Sequence, residues 1–337
     1  MRATMSPDGE LLLVTGATGF VGSAVVRALL QAGQRVRALV RANSRLDNLR
    51  GLDVEMATGD LCAPETLAAA VQGCRGVFHV AADYRMWVPH PSELYATNVR
   101  GSRNLLLAAA RAGVGRIVYT SSVATLGSNE DGTPADEDTP VAYKDMIGDY
   151  KRSKFLAERK VRALAKLHDL DVVVVNPAAP VGPRDIRPTP TGRMILDAAR
   201  GRMPAYVDTG LDIVHVDDVA TGHWLAYQRG ERCRRYVLGG ENLGLREILT
   251  RVAIISGRRP PRWRLPPDAV LPVARVAEAW ARISGREPLV TVAGVKLSRK
   301  RMFFSHARAA RELGYQPRPA QAALEDAVKW FDAHGYV

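Results

Sequence analysis

The chain has 337 residues, 47% of them hydrophobic and 24% charged, and a formal net charge of +12, enough for one large α/β domain with a smaller unit or for two ordinary domains. No apolar run reaches the ~18 residues of a membrane span, and Asp8 and Glu10 ahead of Leu11 to Val14 do not make a secretory leader. Cys62, Cys74 and Cys233 have neither the pairing of a disulfide framework nor the Cys-x-x-Cys spacing of a zinc site, so a cytoplasmic, metal-free protein with reduced cysteines is expected.

The first predicted strand, Leu11 to Thr15, runs into Thr15-Gly16-Ala17-Thr18-Gly19-Phe20-Val21-Gly22 and a helix over Gly19 to Ala32. Glycines spaced three apart permit a tight turn, close approach of the backbone to a pyrophosphate, and a phosphate at the helix N-terminus. Gly16, Thr18, Gly19, Phe20, Val21 and Gly22 are therefore dinucleotide-binding candidates. The first gap is one residue longer than in Gly-x-Gly-x-x-Gly, and a glycine turn without a ligand is the alternative.

The second predicted strand, Arg35 to Val40, ends at Arg41, with Arg45 beyond. A carboxylate there would bond the ribose hydroxyls of NAD, whereas a guanidinium pairs with a 2′-phosphate. NADP(H) is favoured, and NAD(H) remains possible. The third strand, Val54 to Thr58, leads to Gly59-Asp60-Leu61, where Asp60 either meets the adenine amino group or caps a helix over Pro64 to Gln72.

After a fourth strand over Gly76 to Val80, the loop Asp83 to His90 mixes Tyr84 and Trp87 with Arg85 and His90. It either lines a substrate pocket or acts as a lid that excludes water. A helix over Ser92 to Ala112 follows, in which Asn98 is read as a structural hydrogen-bonding residue. The fifth strand, Arg116 to Ser121, delivers Ser121 and Ser122 to the strand end that opens toward a cofactor, with turn formation as the alternative.

The helix predicted over Gly148 to His168 carries Tyr150 and Lys154. A phenol with a pKa near ~10 is a poor acid or base at neutral pH, and an ammonium one helical turn away favours the phenolate. A ring packed under a lysine stem is the alternative. Beyond the sixth strand, Asp171 to Asn176, prolines and glycines from Pro177 to Gly192 predict a loop that leaves the sheet and returns. Helices are expected over Asp217 to Gln228, with Asp217 and Asp218 as N-caps, and over Leu245 to Ser256. Another spans Asp268 to Ile283, where Val270, Val273, Ala277, Trp280 and Ala281 mark a face for core or dimer packing rather than for a membrane.

The expected fold class is α/β: a Rossmann-type doubly wound parallel sheet over residues 1–177, which binds NAD(P), and a smaller mixed α/β substrate-binding portion over 178–337, with some segments returning to the first sheet. The densest positive charge, Arg258 to Arg264 and Arg299 to Arg301, lacks the regular aromatic interleaving of a base-stacking surface. A solvated basic surface is expected rather than nucleic acid binding, with peripheral contact to anionic lipid left open.

Thr15 to Gly22, Val80-Ala81-Ala82, Asn98 to Gly101, Thr120-Ser121-Ser122, Tyr150 to Lys154, Pro177 to Pro183, His215 to Val219 and Glu312 to Tyr315 with Pro317 occur in order over nearly the whole chain. This ordered set resembles the extended short-chain dehydrogenase/reductase family, within it the dihydroflavonol-4-reductase-like branch. His79 to Trp87, Tyr119 to Gly127, Asp149 to Glu158 and Arg187 to Gly222 are most similar to bacterial hopanoid-associated sugar epimerases. The resemblance implies that Tyr150 is the acid/base, that Lys154 lowers its pKa and bonds the nicotinamide ribose, and that Ser122, with Ser121 as fallback, bonds the substrate oxygen. It also implies that Leu61, Ala81, Ala82 and Pro177 line the cofactor site, although Asn176-Pro177 departs from the commoner Arg-Pro.

Asp83, Tyr84, Trp87 and Thr189 are the substrate-side candidates beside Ser122, with Thr191, Arg193, Met194, Tyr206, His215 and Arg301 as further possible walls. The expected activity is hydride transfer at a hydroxyl or ketone carbon of a small sugar, polyol or isoprenoid-linked substrate, by an epimerase or a reductase, in a protein expected to be a homodimer. The competing readings are an NADPH-dependent ketone reductase of dihydroflavonol-4-reductase or 3-beta-hydroxysteroid dehydrogenase type, and a non-catalytic dinucleotide sensor. An intact Ser, Tyr and Lys set speaks against the sensor.

Overall fold

A computed structural model describes residues 9–129, 131–284, 288 and 290–337, so Asp8 lies outside the described residues. In the first half β1 (Leu11–Thr15), α1 (Phe20–Gln31), β2 (Arg35–Val40), β3 (Glu55–Thr58), α2 (Leu67–Val71), β4 (Gly76–His79), α3 (Ser92–Tyr95), α4 (Ser102–Arg111), β5 (Arg116–Thr120), α5 (Gly148–Leu167) and β6 (Val172–Pro177) alternate. The inner strands β1, β4 and β6 are near-continuous buried runs rather than alternating ones, as a parallel sheet covered on both faces requires. Val172 to Val175 are all fully buried.

The second half contains β7 (Ala179–Val181), α6 (Pro190–Ala199), β8 (Ala205–Val207), β9 (Gly210–His215), α7 (Val216–Arg229), β10 (Arg235–Leu238), β11 (Glu241–Gly244) and α8 (Leu245–Ile255). After these come β12 (Trp263–Leu265), α9 (Pro267–Ser284), α10 (Val292–Leu297), β13 (Arg301–Met302), α11 (Ala307–Leu313) and α12 (Ala320–Ala333). The main sheet has seven strands in the order β10-β6-β5-β4-β1-β2-β3, all neighbours parallel. One face is covered by α1, α7 and α11, the other by α2, α4 and α5. Strand order reverses between β1 and β4, so the switch point where such folds bind ligands lies above Thr15 and His79. A third core joins α6, α8 and α12 to β9 and its neighbours.

Four expectations need correction. The helix over Ser92 to Ala112 is interrupted by a π turn at Ala96–Gly101, where the buried Asn98 side chain bonds the Asp83 peptide and Gly101 lies against Leu61. Such an insertion re-aims a side chain and is common beside functional sites. The loop expected from Pro177 contains β7, because Ala179 to Val181 pair with β9, a partner distant in sequence. The cap of α7 is the His215 ring, which accepts from Asp217 N–H, not Asp217 or Asp218; those carboxylates pair with Arg184 and Arg318. On α9 the expected packing face divides: Ala281 is buried and Val270 and Ala277 are half-buried, while Val273 and Trp280 are exposed.

Candidate active site

A cleft of about 940 Å³ opens along the C-terminal strand ends. The glycine loop forms one end. Gly16 has a φ of 68°, and a Cβ there would stand 2.8 Å from the Ala81 backbone; a Cβ on Gly22 would stand 2.0 Å from the Gly16 carbonyl oxygen. Gly19 is the N-cap of α1 and no side chain caps it. The first-turn amides of Phe20, Val21 and Gly22 thus lie at the cleft with no side-chain acceptor, an arrangement that favours a phosphate. Asn48, buried, ties the loop down by donating to the carbonyls of Thr18 and Arg184. No local pattern announces Asn48, whose second partner lies 136 residues away.

Arg41 and Arg45 both line this end. Arg45 is held by Asp47 at 2.8 Å, whereas the exposed Arg41 guanidinium has no ionic partner among the described residues. Ser44 Oγ accepts from Arg41 N–H at 3.0 Å and fixes the turn. Asp60 and Leu61 line the same region. The Asp60 carboxylate accepts from Cys62 N–H at 2.7 Å, a local turn rather than a helix cap. The residues fit a dinucleotide: a cradle only glycine can form, uncapped amides and a free cation.

Tyr150, Ser121, Ser122, Ala81, Ala82 and Pro177 line the middle of the cleft. Ser121 Oγ donates to the buried Glu158 at 2.5 Å, and Glu158 also accepts from Thr125 and Asn176. Ser121 is therefore turned away, whereas Ser122 Oγ accepts from Ala124 N–H at 3.1 Å and caps the short turn after β5, the alternative role expected for it. Burial raises the Tyr150 pKa above that of an ordinary phenol, and the hydrogen bond with Ser122 lowers it in part. Lys154 is buried beneath the cleft. Its Nζ donates to the Thr120 carbonyl at 2.8 Å and lies 5.3 Å from the centre of the Tyr119 ring. Burial brings its pKa down to about 8, with Glu158 pulling it up. Burial and Ser122 act on the phenol, and the long lysine stem carries its ammonium to the Thr120 carbonyl at the sheet.

Asn98 ties the loop after β4 to α5. Its Oδ1 accepts from Asp83 N–H, and its Nδ2 donates to the Asp83 carbonyl and to Ser153 Oγ. Buried His79 extends this network. Ser102 donates to the Asn98 carbonyl at 2.6 Å, so His79 Nε2–H must donate to Ser102, and Nδ1 accepts from Thr15. That order needs a neutral ring, and burial, with Lys154 nearby, lowers its pKa to about 3. On the other side of Lys154, buried His223 donates to the Val219 carbonyl and accepts from Thr120. Glu158, His79 and His223 were all missed from the sequence.

Toward the second half the walls are Tyr84, Met86, Ile186, Leu297, Met302 and Phe304, with Asp83, Asp185, Thr189 and Thr191. Asp83 is bound by Arg85 through both carboxylate oxygens. Thr189 caps α6, accepting from Gly192 N–H and donating to Asp185, which commits its hydroxyl within the protein. Burial pushes Asp185 up to about 6. Trp87, Arg193, Met194, Tyr206, His215 and Arg301 do not line the cleft. The Trp87 side chain is half-buried one residue beyond Met86, the last residue of its loop on the wall.

Residues 12–239 match the model of the NAD dependent epimerase/dehydratase family. The chain is 46% identical over 332 residues to a Synechocystis sp. protein named "Putative dihydroflavonol 4-reductase", covering 97% of this chain and 96% of the relative. It is 38% identical to sterol demethylase protein B of Methylococcus capsulatus, over 96% and 99% of the two chains. Among solved structures, gox2253 superposes with a TM-score of 0.88 at 54% identity over 98% and 100% of the chains.

Proposed function

The chain belongs to the NAD dependent epimerase/dehydratase family, within the extended short-chain dehydrogenase/reductases, and on that premise we propose that it is an NADP(H)-preferring oxidoreductase acting at a hydroxyl or ketone carbon of an isoprenoid-linked substrate. The observation that carries this reading is that Tyr150 and Ser122 line the same cleft as the uncapped glycine-loop amides, with Lys154 buried and bonded to the Thr120 carbonyl. Bound nicotinamide dinucleotide supplies the hydride acceptor or donor.

Ser122 orients the substrate oxygen, and Tyr150 moves the proton at that oxygen. Burial keeps the phenol protonated at neutral pH, which suits proton donation to a carbonyl and so the reductive direction. Lys154, anchored at the Thr120 carbonyl, puts a positive charge under the nicotinamide end, where it stabilises developing negative charge. Glu158 holds Ser121 back, leaving one serine for the substrate. Asn98 fixes Asp83 and with it the loop that closes the substrate side.

The apolar walls formed by Met86, Ile186, Leu297, Met302 and Phe304 favour a hydrocarbon-bodied substrate over a free sugar. They support the ketone reductase form of the reaction, and the similarity to hopanoid-associated epimerases points to the same kind of metabolism. The free Arg41 guanidinium supports NADP(H) over NAD(H). The purified chain should oxidise NADPH with hydrophobic cyclic or prenyl ketones. Turnover confined to nucleotide-sugars, with no NADPH consumed, would favour an epimerase instead, and tight nucleotide binding with no turnover on any panel would favour a sensor.

A further inference from the structure

On α9, Val273, Val276, Trp280 and Ile283 are 60%, 71%, 65% and 80% exposed. At 100° per residue these four fall within one arc of about a quarter turn, centred about 130° around the helix from the buried Ala274 and Ala281. Exposed Arg275 and Arg282 lie beyond that arc, on the polar side of the helix. The strand β12 just before the helix adds Trp263, between Arg262 and Arg264, and Leu265 after them, exposed by 65% and 41%. An apolar face of this kind is unusual on a protein free in solution.

We propose that α9 lies in the surface of an anionic lipid bilayer, with Trp280 and the aliphatic residues in the interface and the arginines at the phosphate level. The composition is that of an interfacial helix: a Trp and β-branched residues on one side, arginines on the other, in a chain of net charge +12. No helix among the described residues is long and apolar enough to cross a membrane, so α9 would lie on the bilayer without spanning it. Charge also selects the occupant. A second copy seated on this face would bring two chains of +12 together, whereas an anionic surface complements them. α9 packs on α10, and Leu297 of α10 lines the apolar end of the cleft, so the docked helix and the cleft share one support. The proposal does not depend on the redox reading.

The test is cosedimentation of the full chain with phosphatidylcholine vesicles containing about one third phosphatidylglycerol, compared with phosphatidylcholine alone. Binding should be at least about tenfold stronger to the anionic vesicles and should fall with added salt. The double variant Val276→Glu with Ile283→Glu should lose about tenfold or more in vesicle binding while keeping the wild-type melting temperature. Equal binding by the variant, or no preference for anionic vesicles, would overturn the proposal. A variant that instead changes the sedimentation coefficient of the free protein would also overturn it, because the face would then join two copies.

Discussion

Lys154 shows how a single side chain can oppose the fold it serves. Its pKa in the folded protein is brought down to about 8 by burial, below the ~10.4 of a free lysine. The ammonium therefore costs folding free energy wherever it is charged in both states, below about pH 8, and that penalty fades as the pH rises toward 10. The penalty is on the order of 3 kcal/mol. Lys154→Met should accordingly keep or raise the melting temperature at pH 7 while lowering turnover at least ~100-fold; a clear loss of stability would show that the Thr120 bond outweighs the desolvation. Wild-type reductive turnover should decline as the pH rises through about 8, where Lys154 loses its charge. Arg41→Asp should weaken NADPH binding by about tenfold or more and leave NADH binding unchanged or improved; equal losses would remove the charge argument for Arg41. The Tyr150 and Lys154 spacing was legible in the sequence, but the way the ammonium is spent was not. A four-residue spacing says that two side chains share a face, not where a long stem carries its charge.

At the level of elements, the glycine loop was the most legible feature because its demands are local. A positive φ at Gly16 and the contact of Gly22 with the Gly16 carbonyl belong to one strand-turn-helix unit. Gly22→Ala would place a methyl 2.0 Å from that carbonyl oxygen, so α1 must move off the sheet. Stability should fall by about 1–3 kcal/mol and nucleotide affinity should drop, as read by thermal melting and nucleotide titration; unchanged binding would mean that the loop does not cradle the phosphates. Two of the elements that were misread share a different cause. β7 and the π turn at Ala96–Gly101 are each set by a partner outside their own segment, β9 and Asp83 respectively. Hydrophobic periodicity found the α9 helix, but the face it marked divides in the structure: Ala281 is buried, whereas Val273 and Trp280 are exposed.

Across the whole molecule, the reversal of strand order between β1 and β4 brings residues from all parts of the first sheet to one cleft, and the second half closes it with Leu297, Met302 and Phe304. The parallel sheet, with a ligand site at its C-terminal strand ends, followed from the alternation of apolar runs and helices. The substrate wall did not, because its residues come from segments more than 200 positions apart, such as Met86 and Phe304. The most direct test compares wild type with Tyr150→Phe for NADPH oxidation on a hydrophobic ketone that the wild type turns over, with NADPH affinity measured alongside. Tyr150→Phe keeps the ring and removes only the hydroxyl, so NADPH affinity should be unchanged while turnover falls by about 10²–10⁴-fold. A variant that binds NADPH normally and still turns over at the wild-type rate would contradict proton transfer by Tyr150.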